Sequence, residues 1–278
     1  MNAESAGGAG GAGGTASPAG RVALVTGAAR GIGAATVAAL AADGWRVVAV
    51  DAADDHPAIP YRLAARSELD EVVRSAGPDV VAAVADVRDV AALERVVAEA
   101  EERWGGLDAV VGAAGVIAGG VPAWELPADQ EQAVLGVDLG GVLNLARAAV
   151  PALLRRPAPR HGRFLAVASA AATQGLPRLA AYCAAKAGVA GFVRALAADL
   201  RGTGVTANAV SPGSTDTPIL VESARLYDLA GPHEFAAQPP LERLLQPAEV
   251  AAVLCFLAGD GSSGMTGAIV PVDGGLAL

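Results

Sequence analysis

The segment from residue 21 to residue 44 constrains the fold more than any other, because it joins an apolar run, a glycine-rich turn and a helical pattern without a break. Residues 21–26 read RVALVT, a short Val-rich run typical of a strand buried on both faces. The turn runs from Gly27 to Gly33, and apolar residues then recur at helical spacing as far as Ala42. A strand that leads directly into a helix predicts one unit of a parallel sheet.

The same alternation of strand and helix continues along the chain. Further strands are predicted at residues 45–50, 80–85, 107–114, 163–169, 206–210 and 268–272. Helices are predicted at residues 67–73, 90–104, 127–151 and 247–258, and around Tyr182 to about residue 200. We therefore expect an α/β fold, with one doubly wound parallel sheet of about seven strands and helices on both faces.

Three stretches do not fit this alternation. Residues 1–20 are rich in Gly, Ala and Ser, so we expect a disordered tail ahead of a single domain at residues 21–278. Residues 54–78 are longer than an ordinary connection between a strand and a helix, and we interpret them as an insertion. Residues 218–245 look irregular, apolar and Pro-containing, which predicts a lid over a pocket.

Charge and composition argue against several classes of partner. The formal net charge of −9 disfavours a nucleic-acid backbone or an anionic membrane surface. No uncharged apolar run reaches the roughly 20 residues that a membrane span needs. Two cysteines exclude a disulfide scaffold, and three scattered histidines show no metal-ligand spacing, so we expect no metal and a reduced, cytoplasmic setting.

The glycine turn is the first candidate binding site. Glycines at 27, 31 and 33 let the backbone approach a pyrophosphate, and the following helix N-terminus offers free N–H groups and the positive end of its dipole. The alternative is a tight turn with a purely structural role. Asp51 ends the second predicted strand, where a carboxylate suits a ribose diol and repels a 2′-phosphate, so NAD is favoured over NADP. A solvated loop carboxylate is the alternative for Asp51.

Two later strand ends carry weaker indications of cofactor binding. Asp86 and Val87 end the third predicted strand, and Asp86 either binds the adenine edge or merely starts the next loop. Small residues from Gly112 to Gly115 follow the fourth strand, where they would let a ribose or nicotinamide lie against the backbone. Tight packing is the alternative for these small residues.

The candidate chemistry lies between Ser169 and Lys186. Tyr182 and Lys186 are four residues apart, so on a helix they share one face and the ammonium reaches the phenol. A nearby cation favours the phenolate, so we expect the pKa of Tyr182 to be lowered from about 10. A proton donor tuned in this way suits carbonyl–alcohol chemistry. Ser169 follows an apolar strand, at the end where open α/β sheets bind ligands.

Five features occur together in one order. They are Thr26-Gly27-x-x-x-Gly31-x-Gly33, Gly112-x-Ala114-Gly115, Ser169, Tyr182-x-x-x-Lys186 and Pro212-Gly213. From about residue 21 to the end of the chain, this set resembles the short-chain dehydrogenase/reductase family. The resemblance implies a single Rossmann-type NAD-binding catalytic domain, NAD(P)-dependent chemistry between alcohols and carbonyls, and a homotetramer or homodimer.

The resemblance also implies a role for each matching residue. Tyr182 is the acid/base, Lys186 lowers its pKa and binds the nicotinamide ribose, and Ser169 hydrogen-bonds the substrate oxygen. The residues implied in cofactor binding are Gly27, Arg30, Gly31, Ile32, Gly33, Asp51, Asp86, Val87, Ala114, Gly115, Tyr182, Lys186, Pro212, Gly213, Thr215 and Thr217.

The chain departs from the family at two positions. The usual Asn-Asn-Ala-Gly is Gly112-Ala-Ala-Gly115, which lacks two side-chain amides, and the usual catalytic Asn of the long helix is Asp138. In the family this residue sits at a kink, and its carbonyl holds a water that leads protons from Lys186 to solvent. Asp138 either approaches Lys186 and raises the Lys pKa, or points away and satisfies a helix N–H.

These features together predict an NAD-dependent oxidoreductase that interconverts a secondary alcohol and a ketone or aldehyde. The lid suggests an apolar, terpenoid- or steroid-like substrate, unless its apolar side chains simply pack the domain. A non-catalytic NAD-binding regulator on the same fold is the alternative, and an epimerase or dehydratase is a second enzyme alternative. The insertion after Asp51 and the run from Ala180 to Lys186 are similar to a mycofactocin-associated subgroup, which implies slowly exchanging NAD.

Overall fold

The computed structural model describes residues 20–278, so all of the predicted tail except Gly20 lies outside the described residues. Seven strands form one sheet, in which every neighbouring pair is parallel. The strands are β1 (Val22–Thr26), β2 (Arg46–Asp51), β3 (Val80–Val84), β4 (Ala109–Gly112), β5 (Arg163–Val167), β6 (Thr206–Pro212) and β7 (Ile269–Val272). Their order across the sheet is β3-β2-β1-β4-β5-β6-β7, which confirms the predicted doubly wound sheet.

Eight α-helices connect and cover the strands within residues 20–278. They are α1 (Gly31–Ala42), α2 (Arg66–Ala76), α3 (Val90–Trp104), α4 (Ala128–Val134), α5 (Gly141–Arg155), α6 (Ala180–Asp199), α7 (Pro218–Leu226) and α8 (Pro247–Ala258). Helices α3, α5 and α6 bury Val97, Leu145 and Val193 against one face of the sheet. Helices α1 and α8 cover the other face with Val37 and Leu254, and the helix connections place all the strand carboxyl ends on one side.

The predicted long helix is interrupted at Asp138. Helices α4 and α5 are joined by a π-helical turn at Leu135–Gly140, which is the kink that the resemblance implies. The helix also continues beyond Pro151 to Arg155, because a proline is tolerated where neighbouring packing compensates for its lost N–H bond. Taken together, α4, the π-helical turn and α5 (Ala128–Arg155) have the length and hydropathy of a membrane span, but they pack against α3 and the sheet as a core helix does.

The prediction that residues 218–245 are irregular is wrong for their first part. Helix α7 begins at Pro218, with Thr217 as its N-cap: the Thr217 hydroxyl accepts a hydrogen bond from the backbone N–H of Leu220. Thr followed by Pro is a helix-start signal, because the hydroxyl caps a free N–H and proline suits the first helical position. The rest of the stretch contains only a short 3₁₀ segment at Pro232–Ala237.

The insertion between β2 and α2 consists of residues 52–65, which have no helix or strand. We call this segment the strap. It remains well anchored, because Ile59 is buried and Asp55 accepts a hydrogen bond from the Leu63 N–H at 2.7 Å. The strap therefore follows a fixed path past the carboxyl ends of the strands.

Candidate active site

A cavity of about 710 Å³ opens at the carboxyl ends of the strands. Every residue that the sequence implicates in cofactor binding lines this cavity, and Ser169 does too. Asp138 does not line it and lies behind Lys186 instead. The volume falls in the range of small-molecule and cofactor sites. Among residues 20–278, no group of three or more His, Cys, Asp or Glu side chains could hold a metal ion.

The glycine turn after β1 makes a backbone cradle at one end of the cavity. A Cβ atom on Gly33 would lie 2.0 Å from the carbonyl oxygen of Gly27, so only glycine fits there. Gly27 has φ +65°, and a Cβ on it would lie 2.6 Å from the backbone of Ala114. Helix α1 begins without a side-chain cap and without an acid in its first turn. Its free N–H groups therefore suit the pyrophosphate of a dinucleotide.

Asp51 lies beside this cradle and is fixed by the backbone. Its two carboxylate oxygens accept hydrogen bonds from the N–H groups of Ala29 and Ala53 at 3.0 and 3.1 Å. The neighbouring Arg30 has its guanidinium directed to Glu68, in a bidentate pair at 2.7 and 2.6 Å, and also donates to the carbonyl of Leu63. Arg30 lines the cavity, but its charge is already engaged with the strap and α2.

The other strand ends supply small or paired groups. Asp86 binds the backbone N–H and the guanidinium of Arg88, and this contact lowers the Asp86 pKa against the opposing effect of burial. Where the family has amide side chains after β4, the Thr26 hydroxyl accepts bonds from the N–H groups of Ala113 and Ala114 at 3.2 and 3.4 Å. Backbone and threonine contacts thus replace the missing amides.

Tyr182 and Lys186 occupy one face of α6, as their spacing predicts. The Lys186 Nζ lies 5.5 Å from the centre of the Tyr182 ring and donates a hydrogen bond to the carbonyl of Val167 at 3.1 Å. Ser169 lies two residues beyond the end of β5 and lines the same cavity. The three side chains thus converge on one wall, although α6 and β5 are separate elements.

The expectation of a lowered Tyr182 pKa is wrong for the protein described here. Burial raises the pKa of Tyr182 above its usual value, and the nearby Asp138 carboxylate raises it further. Lys186 and the Ser169 hydroxyl act in the opposite direction, but their effect is smaller than that of desolvation. The spacing of the two residues carries no information on how deeply the phenol is buried.

Asp138 approaches Lys186, so the alternative in which its side chain points away is wrong. Asp138 Oδ2 lies 3.1 Å from Lys186 Nζ, and the two side chains are 0% and 6% exposed. Asp138 Oδ1 accepts a hydrogen bond from the Val116 N–H at 2.8 Å, which ties the π-helical turn to the loop after β4. Burial alone would lower the pKa of Lys186, but the Asp138 carboxylate and Tyr182 together outweigh burial and raise it.

No sequence pattern indicated one residue of this site, Tyr61 of the strap. Its hydroxyl accepts a hydrogen bond from the Ile117 N–H at 2.9 Å, and its ring packs with Tyr182, Leu179 and Ile117. An aromatic residue in a Pro-containing loop has no periodicity that could indicate its target. The strap therefore crosses from β2 to the loop after β4 and forms part of the cavity wall.

The far end of the cavity is apolar. Ile219, Leu220, Tyr227, Leu229 and Phe235 line it, as predicted for the lid, while Leu226 packs behind them. The Tyr227 and Phe235 rings meet edge to face at 6.2 Å, and the Tyr227 hydroxyl donates to the carbonyl of Pro177 at 2.7 Å. These side chains therefore pack together and also face the cavity.

The fold, the glycine cradle and the Ser–Tyr–Lys wall together define an NAD-binding oxidoreductase site. A family model described as "Enoyl-(Acyl carrier protein) reductase" matches residues 27–277. The chain belongs to the short-chain dehydrogenase/reductase family. It is an NAD-dependent oxidoreductase, and its named relatives act on small molecules.

Named relatives match over almost the whole chain. An uncharacterised NAD-dependent oxidoreductase of Mycobacterium tuberculosis is 37% identical, over 92% of this chain and 95% of its own. Cis-4-hydroxycyclohexanecarboxylate dehydrogenase of Sinomonas cyclohexanicum is 36% identical, over 92% and 96%. The crystal structure of carveol dehydrogenase from Mycobacterium avium in complex with NAD superimposes with a TM-score of 0.86 at 31% identity, over 94% of this chain and 99% of that one.

Proposed function

We propose that the protein interconverts a secondary alcohol and a ketone, with Tyr182 as the acid/base. The observation that carries this proposal is the convergence of Ser169, Tyr182 and Lys186 on one wall of the cavity that the glycine cradle opens. An acid/base group beside a nicotinamide site is what alcohol–carbonyl chemistry requires. Residues 21–278 would form the catalytic domain.

Each of these residues has a defined task. The bound cofactor accepts or supplies the hydride. Tyr182 takes the hydroxyl proton during oxidation and returns it during reduction, while Ser169 holds the substrate oxygen. Because burial raises the Tyr182 pKa, the phenolate depends on nearby positive charge, which Lys186 supplies. Lys186 also suits the nicotinamide ribose, with Pro212, Gly213 and Thr217 around the nicotinamide.

The substrate is proposed to be an apolar ring alcohol or its ketone. The names carveol dehydrogenase and cis-4-hydroxycyclohexanecarboxylate dehydrogenase each specify a ring alcohol. The apolar end of the cavity, lined by the lid side chains, offers such a ring a surface without charge. The lid side chains that line this end carry no cation, so we expect a ring without the carboxylate that the second of these names specifies.

The strap supports slow exchange of the cofactor, which the mycofactocin-associated subgroup would need. Its C-terminal part is held on one side by Arg30 and Glu68 and on the other by the Tyr61–Ile117 hydrogen bond. Both contacts flank the cavity, so a dinucleotide lying in it would be released only after one of them opens. We also propose a cytoplasmic setting and a homodimer or homotetramer, as the family resemblance implies.

The experiment that tests the proposal is turnover of a panel of secondary ring alcohols by the wild type and by Tyr182→Phe. We expect NADH formation by the wild type and a loss of at least hundredfold in the variant, because the phenylalanine ring cannot exchange a proton. NADH binding by the variant should be unchanged. Substantial turnover by Tyr182→Phe would assign the acid/base role elsewhere, and NAD binding with no turnover by either protein would favour the regulator.

A further inference from the structure

We propose that the Asp138 carboxylate biases the site towards the oxidised cofactor, by cancelling the charge of Lys186 in the cavity wall. This inference rests on the proposed function, because it places the nicotinamide beside Lys186. It concerns a property that the acid/base assignment does not require: the ratio of the affinities for NAD⁺ and NADH. A neutral residue at position 138 would leave the Lys186 charge uncompensated at the same place.

The pair is enclosed by protein on every side except the cavity. Asp138 Oδ2 faces Lys186 Nζ at 3.1 Å, and Oδ1 accepts from the Val116 N–H at 2.8 Å. The remaining contact of the ammonium is the carbonyl of Val167 at 3.1 Å. Burial raises the pKa of Asp138, whereas the ammonium 3.1 Å from Oδ2 and the Val116 N–H bound to Oδ1 favour the ionised carboxylate. An ammonium beside a carboxylate gives the pair a net charge close to zero.

Only one glycine separates the carboxylate from the cavity. A Cβ atom placed on Gly115 would lie 3.3 Å from Asp138 Oδ2 and 3.6 Å from Lys186 Nζ, and Gly115 itself lines the cavity. Little protein therefore lies between the pair and the cavity. In such surroundings charges interact much more strongly than at a solvated surface.

In the described part of the chain, no charged side chain outside the pair shifts the pKa of Lys186 or Asp138 through its charge, apart from Tyr182. The groups that shift the Lys186 pKa through their charge are Asp138 and Tyr182, and Lys186 is the one that acts on Asp138. With Tyr182 neutral, the wall carries a net charge close to zero. The oxidised nicotinamide has one more positive charge than the reduced form, so a neutral wall disfavours it less than a lone ammonium would.

The test is the ratio of the two dissociation constants, measured without turnover. The full-length wild type and Asp138→Asn are incubated to equilibrium with known mixtures of NAD⁺ and NADH at pH 6.5. The protein is then separated and its bound nucleotides are quantified, which works even when exchange is slow. We expect the preference for NAD⁺ to fall about tenfold in Asp138→Asn. That change corresponds to about 30 mV in the potential of the bound two-electron couple.

A matched control removes the same charge elsewhere. Glu131 lies on α4, in the same long helix, but is exposed, so Glu131→Gln should leave the ratio unchanged because solvent screens its charge. Lys186→Gln leaves the carboxylate without its partner and should shift the ratio in the opposite direction. If Asp138→Asn fails to fold, the ratio measured for Lys186→Gln still tests the proposal.

The outcomes separate the inference from the proposed function. Both nucleotides bound with an unchanged ratio in Asp138→Asn, or an equal shift in Glu131→Gln, would overturn the inference and leave the acid/base assignment intact. No binding of either nucleotide to the wild type would instead contradict the proposed function. A restored ratio in the double variant Asp138→Asn/Lys186→Gln would establish that net charge, and not a local distortion, carries the effect.

Discussion

Two of the ion pairs at the cavity, Arg30–Glu68 and Asp138–Lys186, differ in burial and in the elements that they join. Arg30 and Glu68 meet at 2.6 Å at the edge of the strap, with side chains 23% and 35% exposed. Asp138 and Lys186 meet at 3.1 Å with side chains that are almost completely buried. The Arg30–Glu68 pair also binds carbonyls and an N–H group of the strap, whereas the Asp138–Lys186 pair joins the π-helical turn to α6.

Burial, and not contact distance, therefore decides whether an ion pair contributes to stability or to the charge of the site. An exposed pair contributes about 0–1 kcal/mol, since solvent screens it, and its value here is to hold the strap in place. A buried pair gains little net stability, but each partner depends on the other, because a lone buried charge is strongly unfavourable. The buried pair is also positioned to change the charge that the nicotinamide and Tyr182 experience.

The largest difference should follow from removing the cation of each pair. Lys186→Met leaves the Asp138 carboxylate buried without a partner, so we expect a loss of about 3–5 kcal/mol in the free energy of unfolding. Arg30→Met, the matched change in the exposed pair, should cost about 1 kcal/mol or less. Urea denaturation of both variants measures this difference, and equal losses would mean that burial does not distinguish the pairs.

The fold and the site were predictable from the sequence to different extents. Repeated short-range patterns, such as the apolar run of β1 followed by Gly27 and Gly33, predict the sheet because each strand and turn depends on residues that are close together in the sequence. The Tyr182–Lys186 spacing is equally local. The pKa of Tyr182, the path of the strap and the contact of Tyr61 with Ile117 depend on tertiary packing between distant residues, so no local pattern reports them.

A third carboxylate, Asp51, is held by backbone N–H groups instead of by a cation, and it should repel the 2′-phosphate of NADPH. We expect NADH to bind on the order of a hundredfold more tightly than NADPH, because Asp51 would face the 2′-phosphate and Arg30 is engaged with Glu68. Asp51→Asn should reduce this preference by about tenfold. Fluorescence titration gives both affinities, and a wild type that binds the two cofactors equally would contradict the role of Asp51.

The smallest effect is expected from weakening the exposed pair. Contact with Arg30 lowers the pKa of Glu68 to about 2 from its usual 4.5, so the carboxylate is ionised at pH 7 and its contribution disappears only as the pH falls towards 2. Glu68→Gln at pH 7 should therefore loosen the strap and speed the release of NAD by a few-fold. Glu71→Gln, on the same helix but paired only with α2 residues, is the control. Stopped-flow displacement of bound NADH measures the rate, and equal rates in both variants would exclude the strap as a barrier.

If the buried carboxylate of Asp138 sets the charge at the reacting centre, the pH profile of alcohol oxidation must depend on it. Tyr182 must be a phenolate to accept the proton, so kcat/KM rises as the pH passes the Tyr182 pKa. Asp138 raises that pKa. Replacing its charge in Asp138→Asn should therefore move the rise to lower pH, by on the order of one unit. A profile for Asp138→Asn that overlays the wild type would contradict the account and leave Asp138 a purely structural residue.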